Sequence, residues 1–138
     1  MINESKISIS KVKELTVLIA DDDDTTRTNI RLILNHQKDV TVVGEVLNGA
    51  DAINQARLLK PDLILMNIEI LKTTGPEIVR VIKTVSSRTE ISFITIHDES
   101  IYRDLTELMH VDGFIAKQSL NKELPRVLEK LIKIKNDI

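Results

Sequence analysis

Short apolar runs alternate along the chain with segments whose apolar residues recur every three or four positions. The runs are residues 15–20, 40–47, 62–67, 91–96 and 112–116. Their brevity and near-continuous apolar character predict strands covered on both faces. The periodic segments predict helices. Ile30, Ile33 and Leu34 share one face, as do Ala52, Ile53, Ala56 and Leu59. Ile78, Ile82 and Val85 form a third stripe, Ile101, Leu105 and Leu108 a fourth, and Leu124, Val127, Leu128 and Leu131 a fifth. Strict β-α alternation predicts a doubly wound parallel α/β sheet with helices on both faces.

The punctuation agrees. Asn48-Gly49 marks the entry to the second helix, and Pro61 stands just before the third strand. Gly75-Pro76 precedes the third helix, with Pro near its first turn. Pro125 fits less easily, because proline inside a helix forfeits a backbone hydrogen bond. The expectation is a last helix that starts near Asn121, tight at first, and is regular after Pro125. Residues 1–14 read as an N-terminal extension and residues 15–135 as one domain.

Composition narrows the function. The 138 residues carry a net charge of −2, so no general pull toward nucleic acid or anionic membrane is expected. Cysteine is absent, which excludes disulfides, thiolate catalysis and Cys-based zinc sites. Aromatic residues are 2% of the chain (Phe93, Tyr102, Phe114), too few for a base-stacking platform. No apolar run approaches the roughly 20 residues of a membrane span, and the start lacks a signal-peptide core. A cytoplasmic location is expected.

Candidate chemistry sits where the strands end. Ligands of open α/β sheets bind outside the carboxyl ends of the strands, near the switch point. The first strand runs into four consecutive acids, Asp21, Asp22, Asp23 and Asp24. Such a cluster is kept to meet a cation or to cap a helix. The reading here is Asp21 and Asp22 on a Mg²⁺ ion and Asp23 or Asp24 on the helix start. The third strand ends at Asn67, the fourth near Thr95 and the fifth at Lys117. An Asp at position 67 would complete a phosphoryl-acceptor site, with a carboxylate attacking phosphorus and Mg²⁺ shielding charge.

These residues resemble the receiver domain of two-component response regulators, the partners of histidine kinases. The likeness covers residues 16–134. It is carried by Val17-Leu18-Ile19-Ala20-Asp21-Asp22, Lys60-Pro61-Asp62-Leu63-Ile64-Leu65-Met66, Gly75, Thr95 and Asp112-Gly113-Phe114-Ile115-Ala116-Lys117. Val42-Val43-Gly44-Glu45 and Asn48-Gly49-Ala50-Asp51-Ala52 resemble the subfamily that carries a LuxR-type DNA-binding domain. The resemblance implies a flavodoxin-like fold with strand order 2-1-3-4-5 and five helices. It also implies Asp21, Asp22 and the backbone carbonyl of Glu69 as Mg²⁺ ligands. Thr95 and Phe114 take the switch positions, and Lys117 the phosphate-contacting lysine.

Asn67 stands where the family has its phosphorylated aspartate. The resemblance therefore implies a pseudo-receiver that acts through protein contacts without aspartyl phosphorylation, and a Mg²⁺ site weakened by one missing charge. The loop after position 67 has drifted as well, keeping only Gly75, and Gln118 replaces the proline that follows the lysine in many receivers. A trans bond is expected there. An ordinary phosphoacceptor receiver with an Asp-to-Asn substitution is the alternative. A flavodoxin-like small-molecule or flavin binder is a third reading, against which the acidic loop counts by repelling phosphate. Partners are expected to be a histidine kinase or another protein, or a second copy through the apolar outer helices. Lys117 is expected in a buried ion pair with the acids. A polar loop accounts for His97 and Asp98, and His36 and His110 read as surface or helix-end residues.

Overall fold

The inner strands are apolar on both sides because they are covered on both sides. The computed structural model describes residues 12–96 and 111–137. Strands β1 (Leu15–Ala20), β2 (Val40–Val46), β3 (Leu63–Asn67), β4 (Glu90–Thr95) and β5 (Gly113–Ala116) form one parallel sheet in the order β2-β1-β3-β4-β5. The described helices are α1 (Asp24–Asn35), α2 (Gly49–Leu59), α3 (Leu71–Thr74), α4 (Glu77–Val85) and α5 (Leu120–Asn136). Short 3₁₀ turns at Ile68–Ile70 and Lys117–Ser119 lead into α3 and α5. The stripe Ile101, Leu105 and Leu108, together with His97, Asp98 and His110, lies outside the described residues.

Successive strand residues point to opposite faces, so each apolar run splits by parity. Leu18, Ala20, Ile64, Met66, Ile91 and Phe93 join Ala52 and Ala56 of α2 and Ile78, Val79 and Ile82 of α4 in one core. Leu15, Val17, Ile19, Leu63, Leu65, Ile94 and Ile115 join Ile30 and Leu34 of α1 and Leu120, Leu124 and Leu128 of α5 in the other. Val17, Leu18 and Ile19 are wholly excluded from solvent. Burial of side chains this size stabilises by about 1.5–3 kcal/mol each. The chain leaves β1 toward β2 and returns on the other side as β3, so the carboxyl ends of β1 and β3 flank the switch point.

The helices begin and end where local chemistry directs. The Asp23 carboxylate caps α1 by accepting from Thr26 N–H at 2.9 Å. Asn48 caps α2 through Asp51 N–H at 2.8 Å. Pro125 lies inside α5 rather than at its start, and α5 begins at Leu120, directly after a 3₁₀ turn. Gly75 ends α3 with φ +81°, a backbone state that L side chains avoid. Gly49 serves a different need. A Cβ there would stand 2.3 Å from Thr74 Cγ2 and 2.8 Å from Ile78 Cδ1, so α2 meets α3 and α4 in direct contact.

At the opposite end of the sheet, Asp62 ties three elements together. Its Oδ2 accepts from Thr16 N–H at 2.8 Å, from the Thr16 hydroxyl at 3.0 Å and from Lys135 Nζ of α5 at 2.7 Å. Asp62→Ala strands these donors in a half-buried setting and is expected to lower stability by about 2 kcal/mol. Urea unfolding measures this, and Asp62→Asn should recover part of the loss. No loss in Asp62→Ala would show that the tie contributes nothing.

Candidate functional site

The four acids after β1 have four different fates. Asp21 continues inward from the strand and is 1% exposed. Its Oδ1 accepts from Asp23 N–H at 2.9 Å and from Asn67 Nδ2 at 3.1 Å. Its Oδ2 is buried and accepts no hydrogen bond among the described residues. Asp22 is exposed. Asp23 turns its carboxylate back onto the first turn of α1, and Asp24 pairs with Arg27. One more partner holds the loop: Arg27 Nη1 donates to the Asp21 carbonyl at 2.8 Å, while its Nε lies 3.4 Å from Glu45 of β2.

A cavity of about 260 Å³ opens over the carboxyl ends of β1, β3, β4 and β5. Asp21, Asp23, Thr26, Asn67, Glu69, Thr95 and Lys117 line it, together with Ile94 and Ile96. Asn67, Thr95, Lys117, Asp21 and Glu69 thus meet around one space, and Asp22 is not part of its lining. Phe114 is half-buried and packs against the α2/α4 core rather than the cavity. Position 67 is a neutral side chain used at both ends. Its Nδ2 donates to Asp21, and its Oδ1 accepts from Glu69 N–H at 2.9 Å.

Lys117 departs from expectation. Its Nζ lies 3.9 Å from Asp23 Oδ2, and the two side chains are 39% and 50% exposed. This is a solvent-facing pair, not a buried one, and such pairs contribute about 0–1 kcal/mol. The reason is local: β5 ends at Ala116, and Lys117 begins the 3₁₀ turn that carries the chain out of the sheet. The Lys117–Gln118 bond is trans. The carbonyl of Glu69 faces the Leu71 N–H at the turn into α3, and the Glu69 side chain pairs with Lys72 at 2.7 Å.

Sequence reasoning passed over Asp23 as a wall of the cavity, and Thr26 and Arg27 altogether. The signal for Arg27 was present: a cation one helical turn beyond an acidic run finds carboxylates at i−3 and the carbonyls of the entering loop.

Burial raises the Asp21 pKa above its ordinary 3.8, opposed by the hydrogen bonds from Asp23 N–H and Asn67, with Asp22 and Asp23 adding repulsion. The Asp23 carboxyl is held below that value, first by the Thr26 hydroxyl, then by the Thr26 N–H and Lys117. A carboxyl raised on folding adds stability below its unfolded pKa and loses it as pH rises through the folded pKa. Ionised Asp21 is therefore a burden at neutral pH. Asp21→Asn is expected to stabilise the fold at pH 7 by about 1 kcal/mol. The gain should vanish below pH 3.8, where both side chains are neutral. Urea unfolding at pH 7 and pH 3 decides, and a variant no firmer at pH 7 would refute the burial cost.

Magnesium takes oxygen ligands, keeps several waters and needs only one or two carboxylates. Asp21 Oδ2 is an oxygen of that kind, buried and otherwise unpartnered. The residues present fit such an ion, with Asp21 as the inner carboxylate and less charge than a third carboxylate at position 67 would supply. Among the described residues no three His, Cys, Asp or Glu side chains form a metal-holding group unaided. No described helix is long and apolar enough to cross a membrane.

The family described as the response regulator receiver domain matches residues 17–129. The chain is 32% identical over 117 residues to the transcriptional regulatory protein BtsR of Salmonella typhi, covering 85% of this chain and 48% of that protein. It is 35% identical over 118 residues to the response regulator protein VraR of Staphylococcus epidermidis, covering 84% and 56%. The chain thus spans about half the length of these relatives. Its fold is similar to the signal receiver domain of the response regulator NarL from Mycobacterium tuberculosis, with TM-score 0.78, 23% identity and coverage of 88% and 98%. It is similar also to the Salmonella typhimurium RcsB response regulator, with TM-score 0.79, 23% identity and coverage of 91% and 63%.

Proposed function

This chain belongs to the response regulator receiver domain family, and on that footing we propose that it is a receiver module that signals without aspartyl phosphorylation, through protein contacts. Receiver domains are signalling modules of two-component systems, so no catalytic activity of its own is assigned. Supporting the reading above all is the amide at the acceptor position, with Asn67 Nδ2 bonded to Asp21 Oδ1. An amide nitrogen gives its lone pair to the carbonyl and is a poor nucleophile toward phosphorus. A carboxylate there would attack. The drifted segment 70–74, wound into α3, supports a natural pseudo-receiver rather than a single exchanged residue.

The site residues keep the roles that the resemblance assigns. Asp21 and Asp22 are the acidic pair, Glu69 the main-chain donor, Thr95 and Phe114 the switch positions and Lys117 the anion contact. Bound Mg²⁺ would supply charge shielding at the buried Asp21 oxygen, weakly for want of a carboxylate at position 67. The proposed domain spans residues 15–135, preceded by an extension over 1–14. Its proposed setting is cytoplasmic, its partners a histidine kinase or another protein, and a second copy through the outer helices. Regulation of transcription would come through a further domain, as the relatives' names suggest.

Retention of Asp21, Thr95 and Lys117 around one cavity favours a second reading, an ordinary phosphoacceptor whose residue 67 has been exchanged for Asn. Intact mass after incubation with acetyl phosphate and Mg²⁺ tests the proposal. A phosphoryl adduct on the chain as it stands, lost when position 67 is changed, would overturn it. The codon at position 67 of the native gene separates the two readings.

A further inference from the structure

Among the described residues, every polar atom of Asp21 has a partner except Oδ2. Its N–H donates to the Val46 carbonyl at 3.0 Å, and its own carbonyl accepts from Arg27 Nη1 at 2.8 Å. Its Oδ1 accepts from Asp23 N–H and Asn67 Nδ2, which leaves the buried Oδ2 open. Of these partners, Arg27 alone is a cation. Its side chain is 14% exposed, where the other described cations in ion pairs are 29% exposed or more. The planar guanidinium reaches three ways, to the Asp21 carbonyl, to the Asp24 carboxylate and to Glu45 of β2, which Arg31 also grips at 2.6 Å. Asp24 and Glu45 answer its charge, and the loop carbonyl takes a further donor.

We infer that Arg27 is a positioning residue for the cation site: by gripping the Asp21 carbonyl it sets the turn that holds the Asp21 carboxylate in the cavity wall. This rests on reading the cavity as a Mg²⁺ site. The sign of the effect separates positioning from plain electrostatics. Arg27 is itself a cation, and its removal leaves Asp24 and Glu45 less neutralised. If only charge mattered, Mg²⁺ would bind more tightly without it. If Arg27 positions Asp21, binding weakens although a repelling charge has gone. An Arg27 that served folding alone would lower the urea midpoint and leave the Mg²⁺ affinity of the folded chain unmoved.

Titration of amide proton and nitrogen chemical shifts with MgCl₂ reads this directly, in an Asn67→Asp background where the third carboxylate strengthens the site. Arg27→Gln is compared there with Arg27, at about 0.05 M and about 0.5 M KCl. Arg27→Gln is expected to bind about tenfold more weakly, the equivalent of one charge-assisted hydrogen bond at the low end of its range. The loss should persist in the higher salt, where an effect of charge shrinks. Arg27→Lys keeps the charge but offers one ammonium in place of the fork; it should lose less, and it carries the test if Arg27→Gln fails to fold. Without metal, the Asp23 N–H that bonds Asp21 Oδ1 should exchange faster in the variants, while Leu18 in the middle of β1 stays protected. Equal or tighter Mg²⁺ binding in both Arg27 variants, with Leu18 still protected, overturns the positioning role and leaves the cation site standing. No binding in Asn67→Asp with Arg27 intact overturns both.

Discussion

Asn67→Asp is expected to gain a single phosphoryl group from acetyl phosphate by intact mass, where the unaltered chain is expected to gain none. The argument is chemical and positional. A carboxylate at the end of β3 would present a free oxygen to phosphorus, form the new P–O bond and expel acetate, with Mg²⁺ neutralising the approaching charges. Asp21, Thr95 and Lys117, to which the proposal gives the ion and the phosphoryl oxygens, already line the cavity. Asp21 lies to one side, Thr95 ends β4, and the Lys117 ammonium is half-exposed and, among the described residues, forms a loose pair with Asp23. That looseness matters, because a lysine locked in a buried pair would have to break it before meeting a phosphoryl oxygen. The adduct should require Mg²⁺ and should be lost again in Asn67→Asp combined with Lys117→Ala. Failure of Asn67→Asp to gain mass with Mg²⁺ present would mean that this cavity is not built for phosphoryl transfer.

Phe93→Ala is expected to produce the largest loss of stability, about 3–5 kcal/mol. Phe93 is fully buried at the centre of β4, paired with Met66 of β3 and Phe114 of β5. It is the bulkiest of the fully buried side chains, and its face of the sheet packs on α2 and α4. Strand β4 itself is hydrogen-bonded on both sides, to β3 and β5, which holds its backbone from closing over the space an alanine would leave. Phe93→Leu should lose much less, because most of the volume remains. Urea unfolding with a common slope measures both. A loss below about 1 kcal/mol for Phe93→Ala would show that this core can collapse, contrary to the close packing assumed for it.

Much of this architecture was legible because it is written in parity and period. The run Leu15–Ala20 is apolar but for Thr16, yet Leu15, Val17 and Ile19 enter one core and Leu18 and Ala20 the other, as a strand covered twice must do. What stayed illegible turned on single side chains and short segments. Whether a residue just past a strand end is sunk or lifted depends on the turn that follows, and the 3₁₀ turn at Lys117 lifts it. Which acid of a run of four faces inward depends on where the helix starts. Asp23 at the cap leaves Asp21 inside and Asp22 out. The four residues of α3 are too few to show a helical period, and they read as loop.

The close meeting at Gly49 has a bearing on motion. Thr74, at the end of the segment that begins just after Asn67, leaves no room for even a methyl group on α2. The segment that follows Asn67 and the first residue of α2 therefore share one tight contact, so a shift of that segment is felt first at α2 rather than in solvent.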